Sequence, residues 1–345
     1  MKLNDILQQS WQRRSMLACI LLPLAGLFRL LVAVRRALYR TGCLRVEHLP
    51  VPVVVVGNIT VGGSGKTPLT LWLAQQLQQR GRRPGIVSRG HGGADQSGPV
   101  CEVRADSDAS QVGDEPLLLK RRSGLPLFVG RDRVAAARAL LAAYPECDLI
   151  LSDDGLQHYR LGRTVEIAVL DARGLMNGWP LPAGPLREPA ARLRRVAALV
   201  LNGAAVAPVE VMPTFQMRLV GASFYALHEP ARTCNAAALA NLRLAAVAGI
   251  GVPQRFFEHL TGLGLKFSTH AFADHHVYTV ADLAAIPADA LLMTEKDAVK
   301  STGLTQRPVW VLPVSAQVEA AASGVDLAAY VERCILEKPH GRTTA

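Results

Sequence analysis

The chain has 345 residues, 50% of them hydrophobic and 19% charged, which excludes a disordered protein and leaves room for two domains with a large core. Its net charge of +10 is concentrated at one end, where residues 1 to 45 hold eight basic side chains (Lys2, Arg13, Arg14, Arg29, Arg35, Arg36, Arg40, Arg45) against one acid, Asp5. Such a segment suits an anionic surface; it is apolar and lacks aromatic stacking patterns, so a nucleic-acid partner is not expected.

From Met16 to Phe28 runs a 13-residue apolar stretch, which Arg29 interrupts before Leu30 to Val34 resume it. A clean membrane span needs roughly 20 residues, and the arginines that follow are not a signal-peptide cleavage site. On a wheel of about 100° per residue, Arg29, Arg36 and Arg40 cluster, with leucines and valines elsewhere. The pattern predicts an amphipathic helix within residues 1–45, lying in the cytoplasmic leaflet with its arginines at the headgroups. A helix packed on the core and a single span with Arg29 snorkelling are the alternatives.

Val53 to Leu73, V-V-V-V-G-N-I-T-V-G-G-S-G-K-T-P-L-T-L-W-L, reads as a buried parallel strand, a glycine-rich loop and a helix, the parts of a phosphate cradle. Thr60, Val61, Gly62, Gly63, Ser64 and Gly65 would bring backbone N–H groups to an anion, Lys66 would reach the outer phosphates, and the Thr67 hydroxyl suits Mg²⁺. The pattern G-x-x-x-x-G-K-[ST] wants glycine where Thr60 stands, and the Gly62-Gly63 pair is expected to make the turn instead.

The loop's helix is expected to end at Gln79, before a strand at Pro84 to Ser88 that enters S-R-G-H-G-G, residues 88–93, which is either an anion-binding loop at the carboxyl edge of a sheet or a solvated turn. Residues 95–108 are polar and read as irregular. In G-D-E-P, Asp114 opens a helix, where an acid commonly serves as a cap. A strand at Leu125 to Val129 and a helix at Arg131 to Ala143 precede C-D-L-I-L-S-D-D-G-L-Q-H, whose apolar strand ends in Asp153 and Asp154, placed as magnesium-positioning acids are. Strands at Val165 to Asp171 and Val196 to Asn202 flank a loop carrying G-P-L-R-E, with Arg187 and Glu188 at its end.

Phe215 to Val220 and Ser223 to Leu227, separated by Gly221, read as a hairpin linking two lobes. A second strand-loop-helix unit follows from Leu242, without a lysine after its glycines. Next come F-A-D-H-H-V-Y, a short helix, a strand at Ala290 to Met293, T-E-K-D-A-V-K, a strand at Pro308 to Val314 and a last helix ending near Glu337. The Asp274-His275-His276 cluster has no third ligand nearby for zinc, but one histidine could act as a base or orienting group. Six scattered cysteines show neither a disulfide framework nor zinc spacing, so a reducing cytoplasm is expected. The predicted organisation is a membrane-associating helix (1–45), a P-loop NTPase-like, doubly wound, mostly parallel α/β core (46–210), a linking hairpin (211–230), a smaller C-terminal α/β lobe (231–337) and a tail (338–345).

Taken in order, G-N-I-T-V-G-G-S-G-K-T-P, S-R-G, G-D-E-P, D-D-G-L-Q-H, G-P-L-R-E, D-H-H and T-E-K-D-A-V-K behind an apolar helix resemble the tetraacyldisaccharide 4′-kinases, membrane-surface kinases of lipid A synthesis in Gram-negative bacteria. The resemblance runs to about Lys300. It implies phosphoryl transfer from ATP, with Mg²⁺, to the 4′-hydroxyl of an acylated disaccharide 1-phosphate at the cytoplasmic face of the inner membrane. It also implies Asp114 as the base, oriented by His275 in preference to His276; Asp154 as the closer metal partner; and Arg89, Arg187 and Glu188 as substrate-side residues. His91 stands where the family often has tyrosine, and is carried as a substrate-side position. A membrane-associated regulatory or targeting NTPase is the alternative from another class.

Overall fold

Val53–Gly57 (β1) is buried at every position. A strand covered by helices on both faces must be, which is why its sequence is an unbroken valine run instead of an alternation. In this computed structural model, which describes residues 3–90, 100–203, 205–211 and 213–337, the strands that follow are Pro84–Ser88 (β2), Cys101–Glu102 (β3), Leu127–Val129 (β4), Leu149–Asp153 (β5), Val165–Asp171 (β6), Ala198–Asn202 (β7), Thr214–Val220 (β8), Ser223–Ala226 (β9), Glu229–Asn235 (β10), Leu244–Ala248 (β11), Phe267–Ala271 (β12), Ala290–Thr294 (β13), Val309–Leu312 (β14) and Ser315–Val318 (β15). Nine form a sheet in the order β15-β8-β7-β6-β1-β5-β2-β4-β3, and six form a second in the order β10-β9-β14-β13-β11-β12.

The large sheet is parallel from β8 to β4, with β15 and β3 antiparallel at its edges. Successive strands leave β1 to opposite sides, β5, β2 and β4 one way and β6, β7 and β8 the other. The carboxyl end of β1 is therefore a topological switch point, where open α/β sheets form their ligand crevice. The valines of β1 divide between two cores: Val54 and Val56 pack with Leu69, Leu73 and Leu77 of the helix Lys66–Gln79, and Val53 and Val55 with Val134, Ala137 and Leu140 of the helix Arg133–Ala143.

The expected hairpin does not form. β8 lies beside β7 in the large sheet, whereas β9 pairs with β10 and β14 in the small one. The chain crosses between sheets at Gly221, where an added Cβ would stand 2.2 Å from the Pro313 carbonyl oxygen of the returning strand connection. That return corrects a second expectation, that residues 231–337 stay together. β15 pairs with β8, and the helix Leu327–Glu337 buries Leu327, Ala328, Val331, Cys334 and Ile335 in the same core as the helix Lys66–Gln79. Apolar spacing specifies a buried face without naming the sheet that covers it. β3, β10, β12 and β15 are short or edge strands with exposed positions and give little signal in sequence.

At the N-terminus are helices Leu3–Trp11, Met16–Ile20 and Leu22–Arg40. Trp11 is buried and its indole N–H donates to the Pro182 carbonyl at 2.8 Å, which docks the first helix on the body. In the helix Leu22–Arg40, Ala25 is buried and Phe28, Val32, Arg36 and Tyr39 are half-buried, one stripe at helical spacing. Leu24, Leu27, Leu30, Leu31, Val34 and Leu38, on the opposite face, are exposed. Arg36 thus lies on the face turned to the protein, and the leucines face outward. No described helix is long and apolar enough to cross a membrane.

Candidate active site

β1 delivers the chain to the switch point through Gly57, where a Cβ would meet Leu156 at 2.8 Å, so the strand leaves hard against the D-D-G-L turn. In the loop that follows, Gly62 (φ 98°) and Gly65 (φ 95°) hold left-handed conformations that glycine adopts without steric cost. The turn is made by Gly62 and Gly65. Thr60 is instead drawn into a bridge with Leu186, flanked by hydrogen bonds from the Val61 N–H to Pro185 O (2.9 Å) and from the Arg187 N–H to Ile59 O (2.8 Å). An extended residue there needs no glycine, and the contact fastens G-P-L-R-E to the phosphate loop.

From the ends of β6 and β7, Arg173 donates to the Gly63 carbonyl and Asn202 to the Ser64 carbonyl, both at 3.0 Å. With these carbonyls tied, among the described residues the N–H groups of Gly62, Gly63, Ser64 and Gly65 donate to no protein acceptor, and the buried Ser64 hydroxyl has no partner. The positive end of the helix Lys66–Gln79 adds to them. Free N–H groups, a helix start and a nearby ammonium make an anion site that fits a nucleotide's phosphates.

Lys66 is buried with its ammonium 3.7 Å from Asp154 Oδ1, and Arg187 donates to both Asp154 oxygens at 3.0 and 3.2 Å. Burial opposes the charge on Asp154, but Lys66, Arg187 and Arg133 together hold its carboxyl well below the usual range. Its neighbour behaves oppositely. Burial, helped by the charges of Glu115 and Asp154, pushes Asp153 up to about 7 despite Lys66 and a 2.9 Å hydrogen bond from the Thr70 hydroxyl. Asp154 has φ 48°, uncommon for a residue with a side chain and consistent with a backbone held for function. Thr67 lies one turn before Thr70 on the same helix face. These hard oxygens fit Mg²⁺, which uses one or two carboxylates and takes its other ligands from phosphates and water; among the described residues no group of three or more His, Cys, Asp or Glu could hold a metal unaided.

Across the crevice, Asp114 opens the helix Asp114–Ser123 and is buried. His275, 161 residues later, points Nδ1 at both its carboxylate oxygens, each at 3.0 Å. His276 turns the other way, Nε2 to Asp282 at 3.2 Å. Adjacent histidines part because His275 adopts φ 59°. Burial works against the Asp114 charge, but the His275 hydrogen bond and the charges of Lys296 and Lys300 outweigh it, so its carboxyl lies below the usual value. The pair sits close to the phosphate loop: a Cβ on Gly251 would be 3.3 Å from the Gly63 nitrogen and 3.4 Å from Asp274 Oδ2.

Of the other expected site residues, Arg89 is exposed just past β2, near enough for its charge to disfavour that of Arg133. His91 lies outside the described residues. Arg187 belongs with Asp154, as above. Glu188 is buried, accepting from Gln157 at 2.9 Å and from the Tyr159 hydroxyl, with Arg192 at 3.5 Å. Tyr159 packs on Tyr39 with ring centroids 5.9 Å apart, so Glu188 braces the wall that meets the N-terminal helix.

Sequence reasoning passed over Arg133, Arg173, Asn202 and Lys296. Arg133 is buried and reaches the Asp154 carbonyl at 3.4 Å. The first two loops in question, D-A-R after β6 and N-G after β7, carried a signal, because polar residues at carboxyl ends of buried parallel strands face the crevice. Lys296 and Lys300 stand one helical turn apart in T-E-K-D-A-V-K, a spacing that puts both on one face.

Known proteins resemble this chain along almost its full length. The family model described as tetraacyldisaccharide-1-P 4'-kinase matches residues 17–331. A tetraacyldisaccharide 4'-kinase of Azoarcus sp. (strain BH72) is 50% identical over 337 residues, covering 97% of this chain and 96% of that one. One from Dechloromonas aromatica (strain RCB) is 50% identical over 347 residues, covering 98% of each. The solved structure of LpxK from Aquifex aeolicus in complex with ATP superposes with a TM-score of 0.78 at 30% identity, covering 93% of this chain and all of that one. With a phosphate loop, paired acids and an Asp–His pair on a fold shared along almost its full length, the chain belongs to the tetraacyldisaccharide-1-P 4'-kinase family.

Proposed function

We propose that the protein transfers the terminal phosphoryl group of ATP to the 4′-hydroxyl of a tetraacylated glucosamine disaccharide 1-phosphate, giving lipid IVA. The observation that carries the reading is the Asp114–His275 contact, made across the two sheets and beside the phosphate loop. Asp114 takes the hydroxyl proton as the 4′-oxygen bonds to the γ-phosphorus and the bond to the ADP oxygen breaks. His275 orients the carboxylate. Phosphoryl transfer has a loose transition state, so alignment and neutralisation by Lys66 and the loop N–H groups supply most of the rate. Thr67, Asp153 and Asp154 would hold Mg²⁺, which would supply neutralisation of charge on the phosphates. Arg187 fixes Asp154 for that role, and Arg89 and His91 are the substrate-side positions of their loop.

The acceptor's acyl chains stay in a leaflet, so the enzyme works at the cytoplasmic surface of the inner membrane. The outward leucine face of the helix Leu22–Arg40 supports this, since an exposed apolar stripe next to basic residues suits an interface. Incubation with ATP, Mg²⁺ and the acylated disaccharide 1-phosphate, followed by mass analysis, should show one added phosphate. Asp114→Ala should lower turnover by about 10²- to 10⁴-fold with ATP binding retained. Unchanged turnover would remove Asp114 as the base.

A further inference from the structure

Lys296 lies on the helix Glu295–Ser301, between the sheets. Its ammonium meets Glu115 Oε1 at 3.0 Å, Asp274 Oδ1 at 3.1 Å and His275 Nε2 at 3.3 Å. An ammonium has three N–H donors and no acceptor. In a hydrogen bond between them Nε2 of His275 is therefore the acceptor, and the same ammonium stands 4.0 Å from Asp114 Oδ2. An imidazole accepting at Nε2 carries its proton on Nδ1, the atom that faces both Asp114 oxygens.

We infer that Lys296 is a positioning residue for the transfer: it opposes a second proton at Nε2 of His275 and keeps the ring's proton on Nδ1, so that the Asp114–His275 pair presents a single negative charge to the acceptor hydroxyl. This deepens the reading of Asp114 as base and rests on it. Other charges around the pair do not replace Lys296. Asp274 Oδ2, 3.7 Å from Nε2, would welcome an imidazolium. Lys300 faces Asp114 at 3.7 Å and is tied to Asp297 at 3.0 Å, with no contact to the ring nitrogen. The hydrogen bond to Asp114 raises the His275 pKa, and burial and the Lys296 charge limit that rise. A doubly protonated ring would turn the pair into an internal ion pair and weaken the carboxylate as a base.

The test is the pH profile of kcat for the full-length enzyme, with Asp114→Ala as the control on the underlying reading. In Lys296→Met, loss of a cation beside Nε2 should move the acid limb up by about one pH unit. Turnover lost near neutrality should then return at higher pH, and the KM for ATP should hold. Lys296→Arg keeps the charge and should leave the limb within about 0.3 unit of the parent. If the methionine variant does not fold, Lys296→Gln, which loses the charge but keeps N–H donors, should show the same upward shift. A kcat depressed by one factor at every pH, with the limb unmoved, would reduce Lys296 to a scaffold and overturn the inference. Should Asp114→Ala keep its turnover, the base reading fails; if it loses turnover while the limb stays in place, the Lys296 role alone fails.

Discussion

Around Lys66, the groups suited to a phosphate come from one run of chain, Gly57 to Thr67, presented at the start of a single helix. Around Asp114 they come from far apart: His275 is 161 residues away and Lys296 reaches Glu115 across 181. The first arrangement is assembled by local conformation, two left-handed glycines and a helix start. The second exists only while the two sheets are docked, through Arg122–Glu295, Arg255–Asp171 and the Lys296 cluster. Disturbing the docking should harm proton removal and spare nucleotide binding.

The largest expected effect lies in the local region. Lys66→Ala should reduce kcat by about 10³-fold and weaken ATP binding, measured by turnover and nucleotide titration, with the Lys296-dependent acid limb unmoved. A shifted limb would mean that the two regions are one electrostatic unit.

Docking comes next. Arg122 donates to both Glu295 oxygens at 2.7 and 2.8 Å, and Glu295 also accepts from the Val314 N–H. Burial raises the Glu295 pKa against the pull of Arg122, so Arg122→Ala leaves an uncompensated buried carboxylate. A loss of about 2 to 3 kcal/mol is expected in urea unfolding, with kcat lowered and ATP affinity within about twofold of the parent. An equal loss of ATP affinity would break the contrast between the regions.

The smallest effect separates them by pH. His158 lies by the large sheet with its buried Nε2 unpartnered among the described residues, and burial, reinforced by Arg133, Arg163 and Arg35, lowers its pKa to about 4. A depressed histidine pKa means that the unfolded chain binds the proton first, so stability falls as pH drops from about 6.5 toward the folded value. His158→Gln should remove this loss, on the order of 2 kcal/mol, seen as a smaller change in unfolding free energy between pH 6.5 and 4.5. His275 has the opposite sign. Its raised pKa contributes stability below the unfolded value that is lost as pH rises through the folded one. Asp114, lowered, contributes above its unfolded value and loses it as pH falls through the folded one.

The sequence by itself determined what is local: the valine run of β1, the glycine turn, the acids ending β5, and the order of strand and helix around them. Each follows from the period of apolar residues or from a backbone conformation that few residue types accept. Motifs in order also carried the family. Tertiary structure decided the rest, because local pattern says that a face is buried without saying by what. It parted β8 from β9, returned the last helix to the large sheet, turned Arg36 inward and the leucines outward, and selected His275 over His276. Two neighbouring histidines with the same chemistry differ only in where the chain aims them. That aim is set by a left-handed backbone at His275 and a carboxylate 161 residues away.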